Sequence, residues 1–326
     1  MTLPVHRLAA ASMAVALVAN LGACSRSTPD QGKPEVSASA SGKVAEPEAA
    51  APSAAKGANQ YEPLMQAVFG AAYRPAKGDA VAEQPDPDQP RNKMKMLLTP
   101  VNSTTLPTGE TVLVVNGEAA DDAGNGQAGH PTPGLLSLYL LSDKSGAWQV
   151  VARHESVAAL GSFGKIGPTR WVKSTSGRPL LAVMDGGTWT GYTVSYLSLF
   201  DPAASQVRNL TPQIPISSDS EGACGPSTSH CYAVDAQWHF APSTSGDKYD
   251  DLVLVFSGWD EVAAEAPAKA AGEEQAQEGE AQPAHAEEDD EKPVQRVRKK
   301  ISGAARYVFD KTAYRLKSGE NPVPIP

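Results

Sequence analysis

Three passages of the chain share one pattern, and that pattern restricts the fold more than any other feature. Residues 95–118, 170–189 and 237–260 each hold a short apolar segment, a turn rich in Ser, Thr and Gly, and an apolar run. Each passage places a glycine within or just after that run, and these are Gly117, Gly186 and Gly258. Apolar runs separated by turn residues are typical of β-hairpins. The sequence therefore predicts three related hairpins.

A second set of hairpins follows the first at variable distances. Its members are residues 135–154, 192–211 and 301–319, and each has an aspartate near the start of its turn, namely Asp143, Asp201 and Asp310. Apolar residues alternate in Leu136, Leu138 and Leu140, which is the period of a strand. We therefore predict an all-β domain, residues 59–326, built from tandem four-stranded antiparallel meanders.

Repeated four-stranded meanders resemble the blades of a β-propeller. Three copies are fewer than a propeller normally needs, so two alternatives stay open. Either residues 59–94 and 155–169 supply further strands, or the sheets pack as a β-sandwich or barrel. One short N-terminal helix is expected after Asn59, with apolar Leu64 and Val68 on one face and Gly70 at its end.

The first residues carry an export signal. Arg7 precedes a short apolar stretch, residues 8–21, and the segment ends in Leu21-Gly22-Ala23-Cys24. As a helix that stretch spans about 21 Å, too short to cross a bilayer. The tetrad resembles the lipobox of bacterial lipoproteins. That resemblance implies a signal peptide of residues 1–23, fatty acylation (diacylglycerol and palmitate-type chains) of Cys24, and anchoring in the cell membrane.

The residue after the lipidated cysteine bears on localisation. In the lipoprotein family an aspartate at that position retains the protein at the inner membrane, and this chain has Ser25. The resemblance thus implies the periplasmic face of the outer membrane, if the host has two membranes. The alternative is an ordinary secreted protein with a chance cysteine.

Two cysteines remain once Cys24 is lipidated. Cys224 and Cys231 are close in sequence, and the oxidising periplasm favours a disulfide between them. The alternative is a metal site with His230, but the second cysteine–histidine half that zinc requires is missing. The sequence therefore predicts a disulfide, and it predicts no metal or cofactor.

Two segments have the composition of linkers. Residues 24–58 lack aromatic and large apolar side chains apart from valines, so we expect a lipidated cysteine followed by a disordered tether. The second segment is an insert at residues 260–293, in which Asp260–Lys292 holds 12 acidic residues and 2 lysines. We interpret it as a disordered, solvated loop or as a lure for a basic partner. The basic run at 296–300 is expected to fold back on it or to face lipid phosphates.

Patterns that carry catalysis are weak in this chain. Gly161-Ser162-Phe163-Gly164 lacks the spacing of a nucleophile elbow, and Asp247, Asp250 and Asp251 lack the pattern of a calcium loop. The net charge of −9 argues against a nucleic-acid partner. We therefore predict a protein that is not an enzyme.

Aromatic residues in flexible loops point to binding. Asp185, Trp189 and Tyr192 lie in a Gly/Thr-rich passage, and Trp259 occupies the corresponding place in the third copy. Such rings suit glycan stacking or protein recognition, although core packing is the alternative. The sequence predicts a non-catalytic binding or scaffolding lipoprotein, whose partners are the bilayer and an unknown protein or envelope glycan. The other hypotheses are an inhibitor or immunity lipoprotein against a secreted hydrolase, and a cell-envelope hydrolase.

Overall fold

The fold is known from a computed structural model, which describes residues 59–264 and 293–326 apart from residues 88, 90 and 213. One α-helix, α1, spans Glu62–Phe69 between two short 3-10 turns. The strands are β1 Tyr73–Arg74, β2 Asp79–Pro85, β3 Lys93–Thr105, β4 Thr111–Ala119, β5 Gly134–Ser142, β6 Gln149–Leu160, β7 Thr169–Lys173, β8 Pro179–Trp189, β9 Tyr192–Phe200, β10 Ile214–Asp219, β11 His230–Ala241, β12 Asp251–Ala263, β13 Arg296–Phe309 and β14 Tyr314–Gly319.

The strands form two antiparallel sheets in the order of the chain. Strands β1 to β6 make a six-stranded sheet, and β7 to β14 make an eight-stranded sheet. Within each sheet every strand pairs with its neighbours in sequence. The prediction of a mostly β protein with one short helix is confirmed.

The meanders do not separate into four-stranded blades, and neither sheet closes into a barrel over the described residues. The first sheet gains β1 and β2 from residues 59–94, which the sequence had allowed for. The second sheet joins the second and third copies because β10, which the sequence did not predict, pairs with both β9 and β11. The described strands therefore form two continuous sheets, and they do not show the predicted propeller-like arrangement.

Helix α1 covers one face of the first sheet. Its buried residues Leu64, Met65 and Val68 pack with Leu113 and Tyr139 of the sheet. The expected cap at Asn59 is not used, because the helix begins after Tyr61 and has no side-chain cap. Gly70 ends the helix with a positive φ of +54°, which glycine adopts without steric cost.

The opposite face of the first sheet packs on the second sheet. Strand β4 is buried on both sides: Leu113 faces the helix core, whereas Val112 and Val114 share a second core with Leu181 and Phe200 of the eight-stranded sheet. The residues that alternate with Leu181 along β8, such as Leu180, join a third core that extends from β8 to β14. Strands buried on both faces explain why their sequences read as continuous apolar runs.

The acidic insert begins later than the sequence indicated. Strand β12 continues to Ala263, so Asp260 and Glu261 lie in the sheet and not in a loop. The basic run belongs to β13, where Arg298 is the cross-strand partner of Glu261 and also forms an ion pair with it. Arg296 pairs with the same carboxylate. The basic run thus folds back on the first residues of the acidic segment.

The lipobox, Cys24, the tether and residues 265–292 of the insert lie outside the described residues. Within the part of the chain that the structure describes, no helix is long and apolar enough to span a bilayer.

Candidate functional site

An aromatic groove of about 690 Å³ lies on the eight-stranded sheet. It is lined by Trp189, Thr190, Tyr192, Val194, Tyr196, His230, Tyr232, Pro324, Ile325 and Pro326. None of these residues is an acid, a lysine or an arginine, and five of them carry aromatic rings. A concave surface with many rings and few polar groups is the usual form of a ligand site. We call this site the aromatic groove.

The rings continue beyond the groove as an exposed stack. His130 is nearly parallel to Phe163, with ring centroids 4.6 Å apart, and nearly parallel to Trp189 at 6.0 Å. Phe163 is 57% exposed and Trp189 is 42% exposed. Inside the groove, Tyr232 lies near Tyr192 and His230. Trp189 therefore joins an outer stack to an inner aromatic wall.

A tight turn places the central pair of rings. Thr190 and Gly191 connect β8 to β9, and both have positive φ, at +49° and +85°. This geometry matches the two-residue turns that fit the twist of hairpin strands, and it makes Trp189 and Tyr192 direct cross-strand partners. A threonine rarely adopts positive φ, so the turn holds a local strain at the edge of the groove.

A disulfide lies next to the groove residues of β11. Cys224 and Cys231 are bonded, with Cα atoms 5.6 Å apart, which confirms the predicted pair. Cys231 stands between the groove residues His230 and Tyr232 at the start of β11. On the chain-entropy model such a small loop stabilises the fold by roughly 2.5 kcal/mol.

The disulfide loop and the β8–β9 turn touch each other. The loop that contains the disulfide passes so close to the β8–β9 turn that a Cβ atom on Gly191 would lie 2.4 Å from the carbonyl carbon of Gly222. Only glycine fits at such a close backbone approach. The β8–β9 turn and the disulfide loop are therefore packed against each other beside the groove.

Polar contacts beside the groove are few. Asp260 of β12 forms a hydrogen bond with His230, in which the Asp260 Oδ1 atom lies 2.6 Å from the His230 Nε2 atom. Asp185 does not line the groove but is the cross-strand partner of Tyr196, which does. The Ser198 hydroxyl donates to Asp185 over 2.6 Å, and the Asn209 amide donates to Ser198 over 2.8 Å.

Burial raises the pKa of Asp185 to about 6, against the smaller opposing effect of the hydrogen bond from Ser198. A carboxyl whose pKa is higher in the folded state than in the unfolded state is penalised when it is ionised. Folding stability should therefore rise as the pH falls from 7 through 6 towards 4. An aspartate kept at such a cost beside a groove is typical of functional sites.

The variant Asp185→Asn tests this cost. We expect it to stabilise the protein at pH 7 by about 1–2 kcal/mol, because the amide carries no charge and still accepts from Ser198. The measurement is urea unfolding at pH 7 and at pH 4.5, and the gain should largely vanish at the lower pH. Asp235→Asn, at an exposed position on β11, is the control and should not show that pH dependence. A loss of stability at pH 7 would contradict the expectation.

The structure gathers some of the predicted site residues and separates others. Trp189 and Tyr192 line the groove, and Asp185 lies beside it. Trp259 does not line the groove: it is half-buried on β12, with the Arg298 guanidinium 4.2 Å from its ring centre. Trp259 and Trp189 match in the sequence pattern, but only Trp189 lines the groove.

Sequence reasoning missed several groove residues. Tyr232 and His230 come from a strand two positions away in the sheet, and no local pattern gives that register. Phe163 could have been found, because a large apolar residue between Gly161 and Gly164 is unusual in a turn. Its φ of +51° and its contact with His130, whose carbonyl accepts from the Phe163 amide, show that the turn presents the ring.

The aspartates that lack the pattern of a calcium loop form hydrogen bonds within the fold. Asp250 accepts hydrogen bonds from Thr175, and Asp251 accepts from Thr244 and Arg306. His154 lies on β6, where burial lowers its pKa. In the described part of the chain, no three His, Cys, Asp or Glu side chains are grouped so as to hold a metal ion. Comparisons with protein-family models, with curated proteins and with solved structures find no match to this chain.

Proposed function

We propose that this protein is a non-catalytic, lipid-anchored binding protein of the bacterial periplasm. Cys24 would attach it to the membrane, residues 25–58 would serve as the tether, and the aromatic groove would hold a partner protein or an envelope polymer. The single observation that carries this proposal is the groove itself, in which Trp189 is 42% exposed beside Tyr192 and Tyr196.

Large exposed rings are costly to leave in water, and they give much contact area for little loss of side-chain entropy. Here they are also held in place before any ligand arrives, by the turn at Thr190-Gly191 and by the disulfide. A preformed site avoids the ordering cost that weakens flexible binders. The groove side chains include no acid, lysine or arginine, which favours a neutral surface on the partner.

The groove is tested by capture from envelope extracts. The full chain carrying Trp189→Ala and Tyr192→Ala should retain at least 10-fold less of any bound component than the unchanged chain, since truncation of central rings removes most of the binding energy. Trp259→Ala is the matched control, because it removes an equally large ring outside the groove. Equal losses in both variants would contradict a role for the groove.

The anchor is tested separately. Mass spectrometry of the mature protein should find an acylated Cys24 as its first residue, and Cys24→Ser should move the protein from the membrane fraction to the soluble fraction. An unmodified chain that begins at Met1 would overturn the anchor and leave the groove untouched.

A further inference from the structure

One wall of the aromatic groove is made by the chain's own proline-rich segment, residues 322–326, with the sequence Pro-Val-Pro-Ile-Pro. Three of its five residues line the groove. Among the described residues, the other lining residues of the groove all belong to strands or to the β8–β9 turn. The composition of this segment therefore indicates a kind of chain that can lie beside these rings.

The segment is held firmly at its base. Val323 is 6% exposed and belongs to the core of the eight-stranded sheet. Just before it, the Asn321 amide donates to the Pro215 carbonyl and to the Tyr307 hydroxyl, each over 3.0 Å. The following residues are less covered, and Ile325 is 63% exposed. Residues 324–326 thus line the groove next to a residue that is fixed in the core.

This segment cannot be bound as a strand. Every second residue is a proline, which has no backbone N–H to donate to a ladder, and residues 320–326 belong to no strand. Such sequences favour the extended polyproline II helix, whose ordering cost is low. Grooves lined by tyrosine and tryptophan are the usual receptors for that helix.

Resting on the proposed function, we infer that the ligand of the aromatic groove is a proline-rich extended segment of a partner protein. The chain's own Pro324-Ile325-Pro326 occupies part of the same groove and competes with that ligand. A partner segment gains access by displacing residues 324–326, among which Ile325 is 63% exposed, while Val323 stays in the core. A groove lined by no acid, lysine or arginine agrees with a ligand of prolines and aliphatic residues.

A labelled peptide of sequence PVPIPVPIP tests the inference by fluorescence polarisation on the full chain in detergent. The variant with Pro324→Gly and Ile325→Gly lacks the competing side chains. It should bind the peptide at least 5-fold more tightly than the unchanged chain. Adding Trp189→Ala to that variant should weaken binding at least 10-fold, whereas Trp259→Ala should not. The control peptide, in which alanine replaces each proline, should not bind.

Each contrary result is decisive. Equal binding of the proline and alanine peptides, or no peptide binding at all, overturns the inference. Equal affinity of the unchanged and opened chains overturns the competition. If a neutral hexasaccharide such as chitohexaose binds in a Trp189-dependent way and the peptide does not, the groove binds glycan: the proposed function stands and this inference fails. If the groove variants alter neither peptide, saccharide nor envelope capture, the proposed function fails as well.

Discussion

Replacing Gly186 with alanine is expected to destabilise the protein by about 3 kcal/mol or more, from overpacking together with an unfavourable φ. Gly186 lies within β8 with φ +147°, and a Cβ atom there would lie 2.0 Å from the Val194 carbonyl oxygen of β9. The contact is with backbone in a paired strand, so it cannot be relieved by a change of rotamer. Unfolding of the variant in urea, followed by circular dichroism, measures the loss.

The same steric argument applies to Gly258 and applies less strongly to Gly117. In β12, a Cβ on Gly258 would lie 2.2 Å from the Ala233 carbonyl oxygen, so Gly258→Ala should be as damaging. Gly117 would meet the end of the flexible Met96 side chain at 3.2 Å, and Gly117→Ala should therefore cost less.

The control for these variants is Gly303→Ala. Gly303 lies on β13 of the same sheet, and a Cβ there would have no atom within 4 Å. We expect it to leave the unfolding midpoint close to that of the unchanged protein. If Gly186→Ala and Gly303→Ala were equally mild, the sheet would not require glycine at position 186.

These glycines mark the extent to which local sequence could predict the fold. The hairpins β3–β4, β7–β8 and β11–β12 were predictable, because apolar runs and turn residues have local physical causes. The shared glycine pattern was real for Gly186 and Gly258, which adopt the same unusual backbone conformation. Gly117 resembles them in sequence only, since its φ is not in that region.

The continuity of the sheets was not predictable from local pattern. The hairpin expected at 192–211 has its first strand in β9, but residues 202–211 make only one isolated bridge, between Phe200 and Asn209. The next strand is β10, which contains Pro215 at a shift of register. Proline argues against a central strand, and here a bulge accommodates it. That strand joins two copies into one sheet.

The candidate site was predictable only in part, and for a related reason. Trp189 and Tyr192 could be named because one turn brings them together and both signals lie in one short passage. Tyr196 lies on β9 with Tyr192, whereas Tyr232 is brought beside them by the pairing order of β9, β10 and β11. The Pro324–Pro326 wall belongs to no strand, and Val323 in the core and the Asn321 hydrogen bond to Pro215 hold its base. Composition carries no information on that order.

The second large effect is expected from Arg306→Met, which should destabilise the protein at pH 7 by about 3 kcal/mol. The Asp251 carboxylate is wholly buried and accepts from Arg306 over 2.8 Å and from the Thr244 hydroxyl over 2.7 Å. Removing the guanidinium leaves a buried charge for which Thr244 is the one remaining hydrogen-bond partner among the described residues. The value lies at the low end of such losses because Arg306 is partly exposed and because Thr244 remains.

The pH dependence of this loss distinguishes an unpaired charge from simple loss of packing. Although burial opposes it, hydrogen bonds from Thr244 and Arg306 hold the pKa of Asp251 below its usual value. That contribution to stability is present above the unfolded pKa and is lost as the pH falls through the folded pKa. Without Arg306, its hydrogen bond and its charge no longer lower the pKa of Asp251, so we expect that pKa to rise relative to the unchanged protein.

The cost of Arg306→Met should therefore shrink between pH 7 and pH 4, as the carboxyl becomes protonated in the variant. Arg315→Met is the matched control, because Arg315 pairs with Asp310 on the surface and both side chains are exposed. Its unfolding midpoint should change little at either pH. A cost for Arg306→Met that is the same at both pH values would mean that the aliphatic stem of Arg306, and not its charge, stabilises this end of the sheet.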